Sequence, residues 1–145
     1  MKLDNQILNQ VCEPADFDNP TENLRQAQHL IQLMMRERGI GLAANQAGLD
    51  LRLFVMYVNK EIFHCFNPEI IHASQELVDS KEGCLSFPGE FCIVPRHQTI
   101  LTEYANARGQ RHQREFQGLA ARCFQHELDH LNGITMYERQ KSTQS

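Results

Sequence analysis

The chain has no CxxC pair, no run approaching the ~20 apolar residues of a membrane span, no internal repeat and no excess of positive charge. Each absence removes a class of function. The five cysteines, Cys12, Cys65, Cys84, Cys92 and Cys123, form an odd set without zinc-ribbon spacing. They argue against a disulfide framework or a four-thiolate metal site, and for a reducing compartment. A formal net charge of -4 leaves no broad electrostatic hold on nucleic acid, so any RNA contact would be local. Asp4, Asn5 and Gln6 interrupt the short apolar pattern at the N-terminus, and the chain reads as soluble and cytoplasmic, with no membrane partner. The glycine-rich stretch at residues 39–46 lacks both the Lys-Ser/Thr pair of a phosphate loop and a GxGxxG fingerprint, so nothing points to a nucleotide.

What is present suits one domain. A chain of 145 residues, 41% hydrophobic and 22% charged, can bury an ordinary core. We expect a single domain over residues 1–139, with the polar residues 140–145 as a disordered tail. Asn19-Pro20-Thr21-Glu22 reads as a helix start, with Asn19 as N-cap, Pro20 at the first helical position and Glu22 reaching back as in a capping box. Leu24, Ala27, Ile31 and Met34 then recur at helical spacing, Arg25, Gln28 and Gln32 supply the wet face, and Gly39 ends the run. Residues 51–58 and 62–66, joined by Asn59-Lys60, predict a hairpin, with further strands at 69–78. Residues 99–104 and 111–116 flank a turn at Asn106-Ala107-Arg108-Gly109 and predict an antiparallel pair. A second helix is predicted over residues 118–132, stopped by Asn132-Gly133. The class is α+β.

That second helix carries the most informative segment, His126-Glu127-Leu128-Asp129-His130. On a helix, an H-E-x-x-H pattern sets two imidazoles one turn apart with a carboxylate beside them, an arrangement that holds a divalent ion and activates water. A catalytic site of this kind needs a third protein ligand. Cys123 shares the helix face but stands seven residues, about 10.5 Å of rise, from His130, so its short side chain does not converge with it. It reads as core packing. Cys84, in Glu82-Gly83-Cys84-Leu85-Ser86, could reach an ion from outside the helix, although composition alone favours a buried small hydrophobe there. Asp129 points away from the two histidines by helical angle and reads as structural. His29, His64, His72, His97 and His112 lack ligand spacing.

Three segments taken in order, GIGLAANQ at 39–46, EGCLS at 82–86 and QHELDH at 125–130, resemble the GxGxAAxQ, EGCLS and HExDH motifs of the peptide deformylases. The resemblance extends from about Asn5 to Met136 and takes in Val94-Pro95-Arg96. It implies a peptide deformylase-like fold, antiparallel sheets around a central helix that carries the HExxH motif, and one catalytic domain at residues 1–139. By position, Cys84, His126 and His130 resemble the metal ligands and Glu127 the general acid/base. Gln46 and the backbone N–H of Leu85 resemble the oxyanion donors. Ile40 and Gly41 resemble backbone positions along the substrate groove, where an extended peptide pairs as an added strand. Glu82 and Arg96 form a candidate supporting ion pair.

The implied reaction is removal of the formyl group from the N-terminal formylmethionine of nascent peptides, releasing formate. The resemblance implies one divalent ion, Fe(II) as the native metal with zinc, nickel or cobalt able to substitute. It also implies a monomer in the bacterial, or phage-host, cytoplasm, transiently near the ribosome. Two departures stand out. Many members have Pro where this chain has Asn45, and many have a longer C-terminal helix, so the short form resembles deformylases carried by phages. Phe91 occupies a position that is basic in some members. The competing readings are a metallo-endopeptidase, which would cut internal peptide bonds, and a structural-metal protein, which would close its fourth coordination position.

Overall fold

Asn19 accepts the backbone N–H of Glu22 at 3.1 Å and so starts α1 (Pro20–Arg36), with Pro20 inside the first turn as predicted. The reciprocal half of the capping box is not made, because the Glu22 carboxylate turns to Arg25 instead. The buried stripe also differs from the predicted one. Asn23, Ala27, Leu30, Leu33 and Met34 face the core, while Leu24 is exposed, since the core lies about one residue further round the helix than the chosen spacing implied. Arg38, rather than Gly39, takes the left-handed position at the end (φ 60°), and the Gly39 N–H bonds back to the Met34 carbonyl at 2.9 Å. The computed structural model describes residues 1–141. The expected tail lies outside the described residues from 142 onward, while the Lys141 N–H donates to the Ile93 carbonyl at 2.7 Å.

The predicted hairpin is β2 (Leu53–Val58) and β3 (Glu61–Ala73), turned by Asn59 and Lys60, both at positive φ (53° and 63°) as a type I′ turn requires. The second predicted pair is β6 (Thr99–Ala105) and β7 (Arg111–Gln117). Between them the strands expected at 69–78 belong to two different sheets. β3 runs on to Ala73 and pairs with β6, and a new strand, β4 (Leu77–Cys84), pairs with β5 (Phe87–His97) in a separate two-stranded ribbon. A short edge strand, β1 (Gly41–Ala43), completes a five-stranded antiparallel sheet in the order β1-β2-β3-β6-β7. The architecture is the expected α+β one.

The run LFVMYV in β2 is almost wholly apolar because both of its faces are covered. Phe54, Met56 and Val58 pack with Phe63, Phe116 and Phe124 on one face. Leu53 and Val55 pack with Leu30, Leu33 and Met34 of α1 on the other. The first of these faces is covered by α2 (Gly118–Leu131), whose Phe124 meets Phe54 edge-on at 5.0 Å. Gln125 joins α2 to the end of β5 by exchanging two hydrogen bonds with the His97 backbone, at 2.9 and 2.8 Å. The helix is therefore wedged between the sheet and the ribbon, so its next residue, His126, faces the ribbon. A one-turn helix, α3 (Met136–Arg139), buries Met136 against Cys92 and Val94 of β5. No helix among the described residues is long and apolar enough to cross a membrane.

Candidate metal centre

The end of β4 and the last two turns of α2 meet at three side chains. The ligand atoms of Cys84, His126 and His130 all lie within 4.8 Å of one another. Nε2 of His130 is 3.2 Å from Nε2 of His126 and 3.4 Å from Sγ of Cys84. A tetrahedral ion with ordinary bond lengths to nitrogen and sulfur would hold such atoms about 3.3–3.6 Å apart. The spacing therefore fits a single small cation. Helical geometry brings the two histidines to one face, as i and i+4 residues must come, whereas Cys84 arrives from the ribbon. Cys123, at the far end of the same stripe, directs its thiol to the Ile40 carbonyl at 3.7 Å instead, and burial pushes that thiol well above the ordinary range.

The electrostatics prepare the pair of imidazoles for a cation. Nδ1 of His126 lies 2.7 Å from Oε1 of Glu82, which leaves Nε2 as the atom facing the cluster. Glu82 is held in turn by Arg96 through two bonds of 2.8 Å, and Arg96 reaches Asp129 at 2.7 Å. The Glu82–Arg96 ion pair expected from the sequence is thus made, and Asp129 takes the structural role its helical angle predicts. Burial works against ionising Glu82, but its bonds to Arg96 and His126 outweigh that and lower it to about 2. Burial likewise opposes charge on His126, yet Cys84, Glu82 and Glu127 raise it to about 10. The negative charge that raises it equally favours a bound cation. His130, fully buried beside these charges, is pushed well below the ordinary histidine value by burial and by His126, and so is neutral.

Above the cluster opens a cleft of about 570 Å³. Every residue proposed for the site from sequence lines it except His130, which lies beneath: Ile40, Gly41, Gln46, Cys84, Leu85, His126 and Glu127. Oε1 of Glu127 is buried with no hydrogen-bond partner among the described residues, and burial raises this carboxyl to about 7. Gln46 receives the Ala43 N–H on Oε1 and donates from Nε2 to Ser86 Oγ at 3.0 Å and to Cys84 Sγ at 3.4 Å. Leu85 sits in the tight turn between Cys84 and Ser86. Along the cleft wall runs the free edge of β1. The Ile40 carbonyl accepts the Tyr57 N–H at 2.7 Å, so Ile40 faces β2, and by alternation the peptide groups of Gly41 face the cleft.

Sequence reasoning missed three contributors. Asn45 donates to the His130 carbonyl, Asn5 donates to the Ser86 carbonyl at 3.2 Å and so ties the N-terminal segment to the Cys84 turn, and Arg122 lines the cleft one turn before His126. Only Arg122 carried a sequence signal, its i, i+4 spacing to His126 on the same helix. The two asparagine contacts join segments distant in sequence, for which no local pattern exists.

A family model described as polypeptide deformylase matches residues 1–145. A peptide deformylase of Thermotoga maritima is 43% identical over 119 residues, covering 81% of this chain and 73% of the relative. Peptide deformylase 2 of Shewanella oneidensis is 39% identical over 140 residues, covering 90% and 76%. Among solved structures, the crystal structure of peptide deformylase from Thermotoga maritima superposes with a TM-score of 0.89 at 39% identity, covering 94% of this chain and 92% of that one. An actinonin-bound class I type b peptide deformylase from Acinetobacter baumannii gives 0.88 at 33% identity, covering 94% and 92%. A chain whose three motifs converge on one cleft, and which matches this family over its whole length, belongs to the polypeptide deformylase family.

Proposed function

We propose that this chain hydrolyses the formyl amide of N-formylmethionyl peptides, with residues 1–139 as the catalytic unit. In this reading Cys84, His126 and His130 hold one divalent ion and Glu127 moves the proton. The observation that carries it is the juxtaposition of a buried, unpartnered Glu127 oxygen with three ligand atoms within 4.8 Å of one another under an open cleft. When bound, a divalent ion there supplies Lewis acidity, acidifying water and polarising a carbonyl.

The chain's own groups do the rest. Glu127, with a carboxyl near 7, takes a proton from water and later returns it to the amide nitrogen, which leaves as a free amine with formate as co-product. The Leu85 N–H and the Gln46 amide donate to the oxygen that becomes negative. Gln46 can release its longer contact, the one to Cys84 Sγ, while Ser86 keeps its other proton. The free edge of β1 pairs with the substrate backbone through Gly41, as an added strand would.

One soft thiolate with two imidazoles suits Fe(II) as the native ion and accommodates zinc, nickel or cobalt. The same reading has a monomer acting in the cytoplasm on nascent chains near the ribosome, its support being the substrate that the family resemblance implies. Formate release from formyl-Met-Ala by anaerobically purified protein, beside the Glu127→Gln variant, tests the proposal. Turnover by the wild type, with metal retained and turnover lost in the variant, is expected; wild-type-like turnover by the variant would remove Glu127 from its role. Cleavage of an internally placed bond in a blocked peptide would favour an endopeptidase instead.

A further inference from the structure

Two buried polar atoms stand unpaired on two residues already in contact. Asn45, fully buried in the turn Ala44–Gln46, donates from Nδ2 to the backbone carbonyl of His130 at 2.5 Å. Its Oδ1 has no hydrogen-bond partner among the described residues, and neither has Nδ1 of the fully buried His130. The first is an acceptor, and the second is a donor whenever the imidazole carries its proton there. Both pay for desolvation without a bond, which buried polar groups rarely do.

The chemistry of the centre says where the His130 proton belongs. Nε2 faces Cys84 and His126, so a ligating His130 keeps its proton on Nδ1, and ligating imidazoles almost always donate that N–H to an outer acceptor. His126 has such a partner in Glu82 at 2.7 Å. We infer that Asn45 is the corresponding partner of His130. Rotating its carboxamide about the soft terminal torsion, so that Oδ1 rather than Nδ2 is turned to His130, would pair Oδ1 with the Nδ1–H and fix His130 in the tautomer that ligates through Nε2. The rotation exchanges the Nδ2 bond to the His130 carbonyl for the bond to the ring, and the carbonyl still accepts the Gly133 N–H at 2.9 Å. Adjacent residues of one short turn then serve two ligands, Asn45 the imidazole and Gln46 the sulfur. Asn45 is a positioning residue, and the inference rests on the ligand assignment proposed above.

Zinc affinity, measured by competition with a chromophoric chelator, and histidine nitrogen NMR of the zinc-loaded protein test it. We expect the wild type to show His130 with a slowly exchanging proton on Nδ1. Asn45→Leu should bind zinc about tenfold more weakly or worse, and Asn45→Asp, which keeps an acceptor, should stay within about threefold of wild type. Asn45→Leu binding zinc like wild type, Asn45→Asp falling as far as Asn45→Leu, or a His130 proton on Nε2 each overturns the inference. If Asn45→Leu does not fold, Asn45→Ala takes its place, with the same loss of zinc affinity expected and wild-type-like affinity overturning the inference. A Cys84→Ser variant separates the two levels: unchanged zinc affinity there sinks the ligand assignment itself, whereas lost affinity in Cys84→Ser with none lost in Asn45→Leu sinks only the role of Asn45.

Discussion

Gly41 lies directly against the carboxylate of Glu127: a Cβ at position 41 would come within 2.5 Å of Oε2 and 2.9 Å of Cys123 Sγ. The cleft edge of the sheet and the helix approach this closely only because position 41 has no side chain. Gly41→Ala must displace Glu127, and a misplacement on the order of 1 Å at a reacting group costs about a hundredfold in rate. We expect kcat for formate release to fall by that order while the fold persists. Adding Cys123→Ala should not restore it, because the contact with Oε2 remains.

The buried Glu82–Arg96 pair makes the metal-free protein sensitive to acid. Glu82 sits at about 2 in the folded chain against an ordinary 4.5. Its contribution, on the order of 3 kcal/mol, is fully present above pH 4.5 and is lost as pH falls towards 2, because protonation then favours the unfolded chain. Denaturant titrations of chelator-treated protein between pH 6 and 2.5 should show this slope. Arg96→Met should flatten it and, by leaving the buried Glu82 carboxylate with His126 as its one remaining partner among the described residues, should cost about 3 kcal/mol at neutral pH.

Metal removal should loosen the protein. An ion that binds only the folded chain adds about 2.7 kcal/mol at a free concentration one hundred times its Kd, about 5–10 °C in Tm for a domain of this size. Chelation should reverse that shift and abolish turnover, and Cys84→Ser should show no shift under the same zinc concentration.

Phe124 is the aromatic hub beneath the site, fully buried and within 5.0–5.7 Å of the Phe54 and Phe116 rings. Phe124→Ala should destabilise the fold by about 3–5 kcal/mol, read by urea denaturation. Because α2 carries the two histidines, zinc affinity should fall as well, whereas an exposed change such as Leu24→Ala on α1 should leave both unaltered.

Local patterns were legible wherever the physics is local. Asn19-Pro20 starts α1, Asn59-Lys60 turns the first hairpin, and the i, i+4 histidines share a helix face because a helix repeats every 3.6 residues. The same locality explains the misses. Which stripe of α1 is buried depends on what packs against it, so Leu24 reads as core and is exposed, while Leu30 and Leu33 form the contact. The division of residues 69–78 between two sheets depends on a partner, β5, whose pairing with β4 no window of the sequence displays.

By itself the sequence determined the class of the fold, the motif-bearing helix, and, through the order of three motifs, the family. Tertiary structure alone decided the geometry of the candidate site. A helix brings its own histidines together, but it cannot bring Cys84 to within 3.4 Å of His130, seat Glu127 over Gly41, or set Asn45 against the His130 carbonyl. Those distances follow from α2 being clamped between the sheet and the ribbon by Gln125, Arg96 and the aromatic core. Contacts between distant segments form only when the whole core closes.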